Sequence, residues 1–201
     1  MYRKFANALT RFFVKKKVIP REAAEVYAYG FEILLSIIVY ESIFILISIF
    51  TNTFIASIGF WISFFFIRTF CGGFHANSYL KCHLMFLANH LIFIFLYKYV
   101  FYTIDTLFIS AALLLCTVVV FFIAPVDHPN KPFLFNEYKK FKRKTHVYCI
   151  ILVIFAFVNV FLHLEAWGWG VGFGTLSATI SLIFAKLLYK KERRCDNEKV
   201  N

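Results

Sequence analysis

At 201 residues, with 61% hydrophobic positions and 28 phenylalanines, the chain is far more apolar than the roughly 45–50% typical of soluble domains. That length suits one domain, and membrane-grade runs take up nearly all of it, which excludes a soluble globular enzyme. The net charge of +11 arises from 22 Lys and Arg against 11 acids. Because these basic residues flank apolar runs, they point to anionic membrane lipid and the positive-inside rule rather than to nucleic acid.

Residues 1–19 read as an interfacial amphipathic helix, with Phe5, Leu9, Phe12 and Phe13 on one face and Arg3, Lys4, Arg11 and Lys15 largely elsewhere. Lys15-Lys16-Lys17 closes it, and Pro20 suits the first turn of the next helix. No small-residue cleavage site follows a short apolar core, so the first span is expected to serve as its own insertion signal.

Six apolar runs follow, at about 31–50, 54–68, 84–104, 107–124, 147–164 and 168–189. A hydrocarbon core of roughly 30 Å takes about 20 helical residues, which five of the runs supply. The second is short, and is expected either to tilt or to enter the membrane and turn back. The fold class is therefore all-α, a polytopic membrane helical bundle forming one domain over residues 1–201. Residues 20–189 make the bundle, and 190–201 a basic cytoplasmic tail.

Orientation follows from charge. With both termini cytoplasmic, every basic residue except Lys98 falls on the inner side, whereas the reverse strands nearly all of them outside. This places residues 68–83 and the basic loop 125–146 on the cytoplasmic face.

The segment from Arg68 to Cys82 is the chemically equipped island of the chain. It sets Gly72-Gly73, His75 and Cys82 between two apolar runs. A thiol needs a base to become a nucleophile near neutral pH, and His75 is the nearest imidazole. On one unbroken helix the two would lie about 10 Å apart along the axis, too far for a hydrogen bond. The dyad therefore requires residues 72–78 to leave helical geometry. Gly72 and Gly73 lend the freedom, and Asn77 or Ser78 can cap a new helix that holds Cys82 in its first turns. There the positive end of the helix dipole, with Lys81 alongside, favours a thiolate. The backbone N–H groups around Gly72-Gly73 could serve an oxyanion.

A rival reading assigns Cys71, His75, Cys82, His83 and His90 to a metal, but their spacing matches no common zinc pattern. No metal and no cofactor is expected. Cys116 and Cys149 lie in apolar runs as small buried hydrophobes, and the five scattered cysteines form no disulfide framework. Glu41 lies deep in the first span, where an interhelical or dimer contact would account for it, while Glu32 can snorkel to water. A small transporter would call for internal repeats or broken mid-membrane helices with paired ionisable groups, and none is evident. A non-catalytic scaffold leaves the island unexplained.

The string Arg68-x3-Gly72-Gly73-x-His75-Ala76-x-Ser78-x3-Cys82 resembles the active-site region of the accessory gene regulator B (AgrB) family. Ala124-Pro125 with Lys131-Pro132, and the approach Glu25-x3-Tyr29-Gly30-Phe31-Glu32, agree with it, so the resemblance extends over most of the chain. It implies a bacterial plasma-membrane cysteine endopeptidase that cleaves the C-terminal part of a small AgrD-like precursor and promotes its cyclisation to a quorum-sensing autoinducing peptide. By the same resemblance Cys82 is the nucleophile and His75 the base, Arg68, Gly72, Gly73 and Ser78 shape the site, and a homodimer is expected. Cys71 has no part in the family pattern. The basic cluster Lys131, Lys139, Lys140, Lys142, Arg143 and Lys144 is expected to dock an acidic precursor tail.

Overall fold

In a computed structural model, the described residues are 2–72, 79–100, 104–126 and 135–200 along the backbone, and 3–72, 80–100, 104–126 and 136–190 for side chains. Among them are seven α-helices and no strand. These are α1 (Tyr2–Lys15), α2 (Ala24–Phe50), α3 (Phe54–Cys71), α4 (Tyr79–Tyr99), α5 (Thr106–Ile123), α6 (Phe135–Leu162) and α7 (Glu165–Val200). All but α1 are long and apolar enough to cross a membrane. The all-α bundle read from hydropathy is the architecture found.

The first helix folds back on the second. Ala6 and Thr10 of α1 are buried, and Phe13 stacks on Phe31 of α2 with ring centroids 5.7 Å apart. Phe5 and Phe12 stay 64% and 55% exposed, and Leu9 is exposed beside them. The single apolar face expected of residues 1–19 is thus divided, because Phe13 turns inward to α2 while the other three point away from the bundle. Lys17, with φ 57°, and Pro20, before the 3-10 turn Arg21–Ala23, reverse the chain between the two helices.

The short second run is a continuous helix. The 18 residues of α3 rise about 27 Å and do not turn back, so the re-entrant alternative falls. Its length is tolerated because it is a central helix with a buried stripe at helical spacing, Ala56, Gly59, Phe60, Ser63, Phe64, Ile67 and Cys71.

Against that stripe runs α7, whose glycines alternate. Gly170 and Gly174 share one face and meet α3. A Cβ at Gly170 would fall on the Ala56 carbonyl oxygen, and one at Gly174 on the Ser63 hydroxyl. Gly168 and Gly172 lie on the opposite face, where a Cβ would come within 2.5 Å of Asn159 of α6 and Ile109 of α5. Two small-xxx-small faces on one helix let three neighbours approach its backbone, the close contact that drives association where lipid removes the hydrophobic incentive.

Polar residues at membrane depth are joined across helices. Asn159 donates to the Ser110 hydroxyl at 3.0 Å, tying α6 to α5. The indole N–H of Trp61 donates to Glu41 at 3.1 Å, so the interhelical account of Glu41 is the one observed. His90 is fully buried, with Nε2 2.9 Å from Ser57 Oγ and 3.4 Å from Ser48 Oγ, and thus links α4 to α3 and α2.

One boundary differs from the sequence reading. Residues 135–146, expected as part of a basic loop, form the first turns of α6. Hydropathy marks only where a run enters hydrocarbon, and a helix continues past that point as long as its backbone bonds are satisfied.

Candidate functional site

The site forms where α3 stops and α4 starts. Gly72 ends α3 with φ 81° and ψ −161°, a conformation strained for any residue bearing a Cβ. A Cβ there would also lie 2.7 Å from the Val126 carbonyl oxygen. The α5–α6 connection presses on this point, and the Val126 N–H donates to the Cys71 carbonyl at 2.9 Å. Val126 follows the cis peptide Ala124–Pro125. From α6, Thr145 is fully buried, with its hydroxyl 3.0 Å from the Phe141 carbonyl and 3.3 Å from that of Phe70. Two elements remote in sequence therefore clamp the last turn of α3.

The expected break is seen at its first residue, Gly72, which leaves helical geometry after Cys71; residues 73–78 lie outside the described residues. Across it, Arg68 in the last turn of α3 donates from its guanidinium to Cys82 Sγ at 3.3 Å. Cys82 stands in the first turn of α4 and is half-buried. Arg68 is itself half-buried, with its guanidinium carbon 5.8 Å from the centroid of the Phe64 ring. The contact sets a permanent cation against a partly accessible sulfur.

Cys71 is different in kind. It is 0% exposed, lies 3.5 Å from the Thr145 hydroxyl and belongs to the main apolar core. The neighbour of Cys82, His83, stacks on Tyr40 of α2 at 4.4 Å and 11°. His90 is held in the Ser57–Ser48 group. Among the described residues no three His, Cys, Asp or Glu side chains converge as metal ligands would.

Gly73, His75 and Ser78, and Lys131 of the basic cluster, lie outside the described residues. Lys139, Lys140, Lys142, Arg143 and Lys144 are exposed on the first turns of α6. Lys139 and Arg143 share one face there, and Lys140 and Lys144 another. Sequence reasoning missed Thr145 and Val126. The Ala124-Pro125 pair had marked the neighbourhood of Val126, but nothing in the pattern around Thr145 distinguishes it from any other threonine in a helix.

Fold and site together define a multi-pass α-helical membrane protein carrying an arginine-paired cysteine at a break between two spans. The family model described as Accessory gene regulator B matches residues 6–182, nearly the whole chain, and the chain belongs to that family. Its role is accordingly of the AgrB type, in autoinducing-peptide processing for quorum sensing. No curated protein and no solved structure matches it.

Proposed function

We propose that the protein is a membrane cysteine endopeptidase acting through Cys82 and His75 on a small AgrD-like precursor. The observation that carries this reading is the Arg68–Cys82 contact across the helix break. A cysteine serving only to fill space in a span has no need of a guanidinium on its sulfur, whereas a nucleophile that must carry charge in a poorly solvated place does.

In the proposed reaction, His75 takes the Cys82 proton and the thiolate attacks a peptide carbonyl of the precursor. The tetrahedral oxyanion collapses with cleavage of the C–N bond, and the imidazolium returns its proton to the departing amine. A thioester between the precursor and Cys82 remains. A thiol or hydroxyl of the precursor then attacks the thioester, the C–S bond breaks, and the ring closes as Cys82 leaves. Thiol–thioester exchange is nearly even in free energy, so the enzyme's remaining task is to exclude water until exchange is complete. The position of the half-buried Cys82 at the membrane edge is proposed to serve that end.

Both termini and the site are assigned to the cytoplasmic side by the distribution of basic residues. On that face, the exposed Lys139 and Lys140 are proposed to attract the acidic tail of the precursor. Replacing both with Gln is expected to raise the half-saturating precursor concentration several-fold and to weaken the inhibition of cleavage by salt, with maximal rate unchanged. Unaltered concentration dependence would assign the two lysines to topology alone.

Arg68→Gln is expected to slow cleavage about tenfold to a hundredfold, the worth of one charge-assisted hydrogen bond of roughly 1.5–3 kcal/mol. Alkylation of Cys82 by iodoacetamide at fixed pH should slow in parallel, and Arg68→Lys should recover part of both. Normal alkylation with impaired cleavage would give Arg68 a substrate-binding role instead. The reading as a whole is tested by co-expression with the precursor and mass spectrometry of the fragments, where an intact precursor would reject it.

A further inference from the structure

The side of the bundle between α3 and α6 holds a cleft of about 550 Å³ that the peptidase mechanism does not use. Phe66 and Phe70 of α3, Ile151 and Phe155 of α6 and Trp167 of α7 wall it. The hydroxyl of Ser63, also on the wall, donates to the Phe60 carbonyl of its own helix at 3.1 Å and so adds little polarity. At one end the walls change character, for Arg143 and Lys144 line the cleft there. The Lys144 ammonium lies 5.4 Å from the centroid of the Phe70 ring, which sets it at the rim near the end of α3. No Asp or Glu is among the described residues that line the cleft.

We propose that this cleft binds an anionic glycerophospholipid from the adjoining leaflet, with one acyl chain along the aromatic walls and the phosphate against Arg143 and Lys144. Three features select this occupant. First, the cleft opens sideways through exposed Val147 and Ile151 of a membrane-spanning helix, so its surroundings are hydrocarbon rather than water. Second, its α6 wall runs from Arg143 to Phe155, about 18 Å of helix, close to the depth of one leaflet of a core about 30 Å thick. Third, adjacent cations stand where that chain would meet its headgroup, the arrangement by which basic pockets between spans take anionic lipids.

The site bears on function through Phe70. Its carbonyl is held by Thr145, and its ring lines the cleft two residues before Gly72. A chain seated against Phe70, with a phosphate drawing on Lys144, braces the turn of α3 that presents Arg68 to Cys82. Precursor processing is therefore expected to be faster in bilayers containing the anionic lipid.

Binding can be tested apart from activity. The full-length protein would be purified from mixed micelles containing phosphatidylglycerol and phosphatidylcholine of equal chain length, and retained lipid counted by native mass spectrometry. Selective retention of phosphatidylglycerol is expected, reduced on the order of tenfold in the double variant R143Q/K144Q. It should persist in K139Q/K140Q, which removes equal charge from the same helix outside the cleft. Val147→Trp, which narrows the cleft and keeps both cations, should also lose the lipid. Equal retention of the two lipids, or retention indifferent to R143Q/K144Q, would overturn the proposal. So would loss of precursor capture in R143Q/K144Q with lipid retention intact, which would make the cleft a peptide site.

Discussion

Cys82→Ala is expected to reduce precursor cleavage to background while the protein still inserts and purifies as the wild type does. The magnitude follows from chemistry, since loss of a covalent nucleophile removes the reaction path itself, of order 10⁶-fold where such losses have been dissected. Cys71→Ala is expected to cleave near normally at a small cost in stability. The structure separates two thiols that lie close in sequence. Cys82 is half-buried under Arg68, whereas Cys71 is sealed in the core beside Thr145. Reversed phenotypes would move the nucleophile to Cys71. His75→Ala should lower cleavage by about 10²–10⁴-fold, the usual worth of a general base. Added zinc chelator should change nothing, and activity lost on chelation and restored by zinc would bring the metal reading forward.

The second large effect is on folding. Gly170→Leu is expected to prevent normal accumulation of the protein, or to lower its unfolding temperature in detergent sharply. The first atom of any side chain at that position would lie far inside van der Waals contact with the Ala56 carbonyl oxygen, which is backbone and cannot rotate aside. Relief requires α3 and α7 to separate along the most intimate interface of the bundle, and overpacking of this kind typically costs 1–3 kcal/mol or more. Gly30→Ala supplies the control, because a Cβ there meets nothing within 4 Å. That substitution should be neutral or stabilise α2 by up to about 1 kcal/mol through helix propensity. A thermal melt of the two variants in one detergent decides the matter, and equal stability would mean that the α3–α7 contact is not the bundle's central seam.

Several parts of this protein can be read without coordinates because they depend on local composition. The number of spans follows from hydropathy, since each must satisfy its own backbone bonds in hydrocarbon. The end of the second span at Gly72 follows from the glycine pair, because the positive φ found there suits a residue without a Cβ. The family pattern from Arg68 to Cys82 is local too, and so was legible from residue order.

What escaped the sequence is what depends on how each helix is rotated about its axis. The donor on Cys82 is Arg68, one helix away, and nothing in their spacing says that the two side chains meet. Thr145 and Val126 hold the end of α3 from distant positions, and only the approach of α6 and the α5–α6 connection makes them part of the site. That Gly170 and Gly174 serve α3 on one face of α7, and Gly168 and Gly172 serve α6 and α5 on the other, is decided by the packing alone. Phe13 reads as one of four equivalent lipid-facing residues until α2 supplies Phe31 for it to stack on. Hydrophobicity is a property of residues and sets what enters the membrane. Inside it every helix face is largely apolar, so the choice among faces rests on shape and on a few hydrogen bonds, and these exist only once the helices are together.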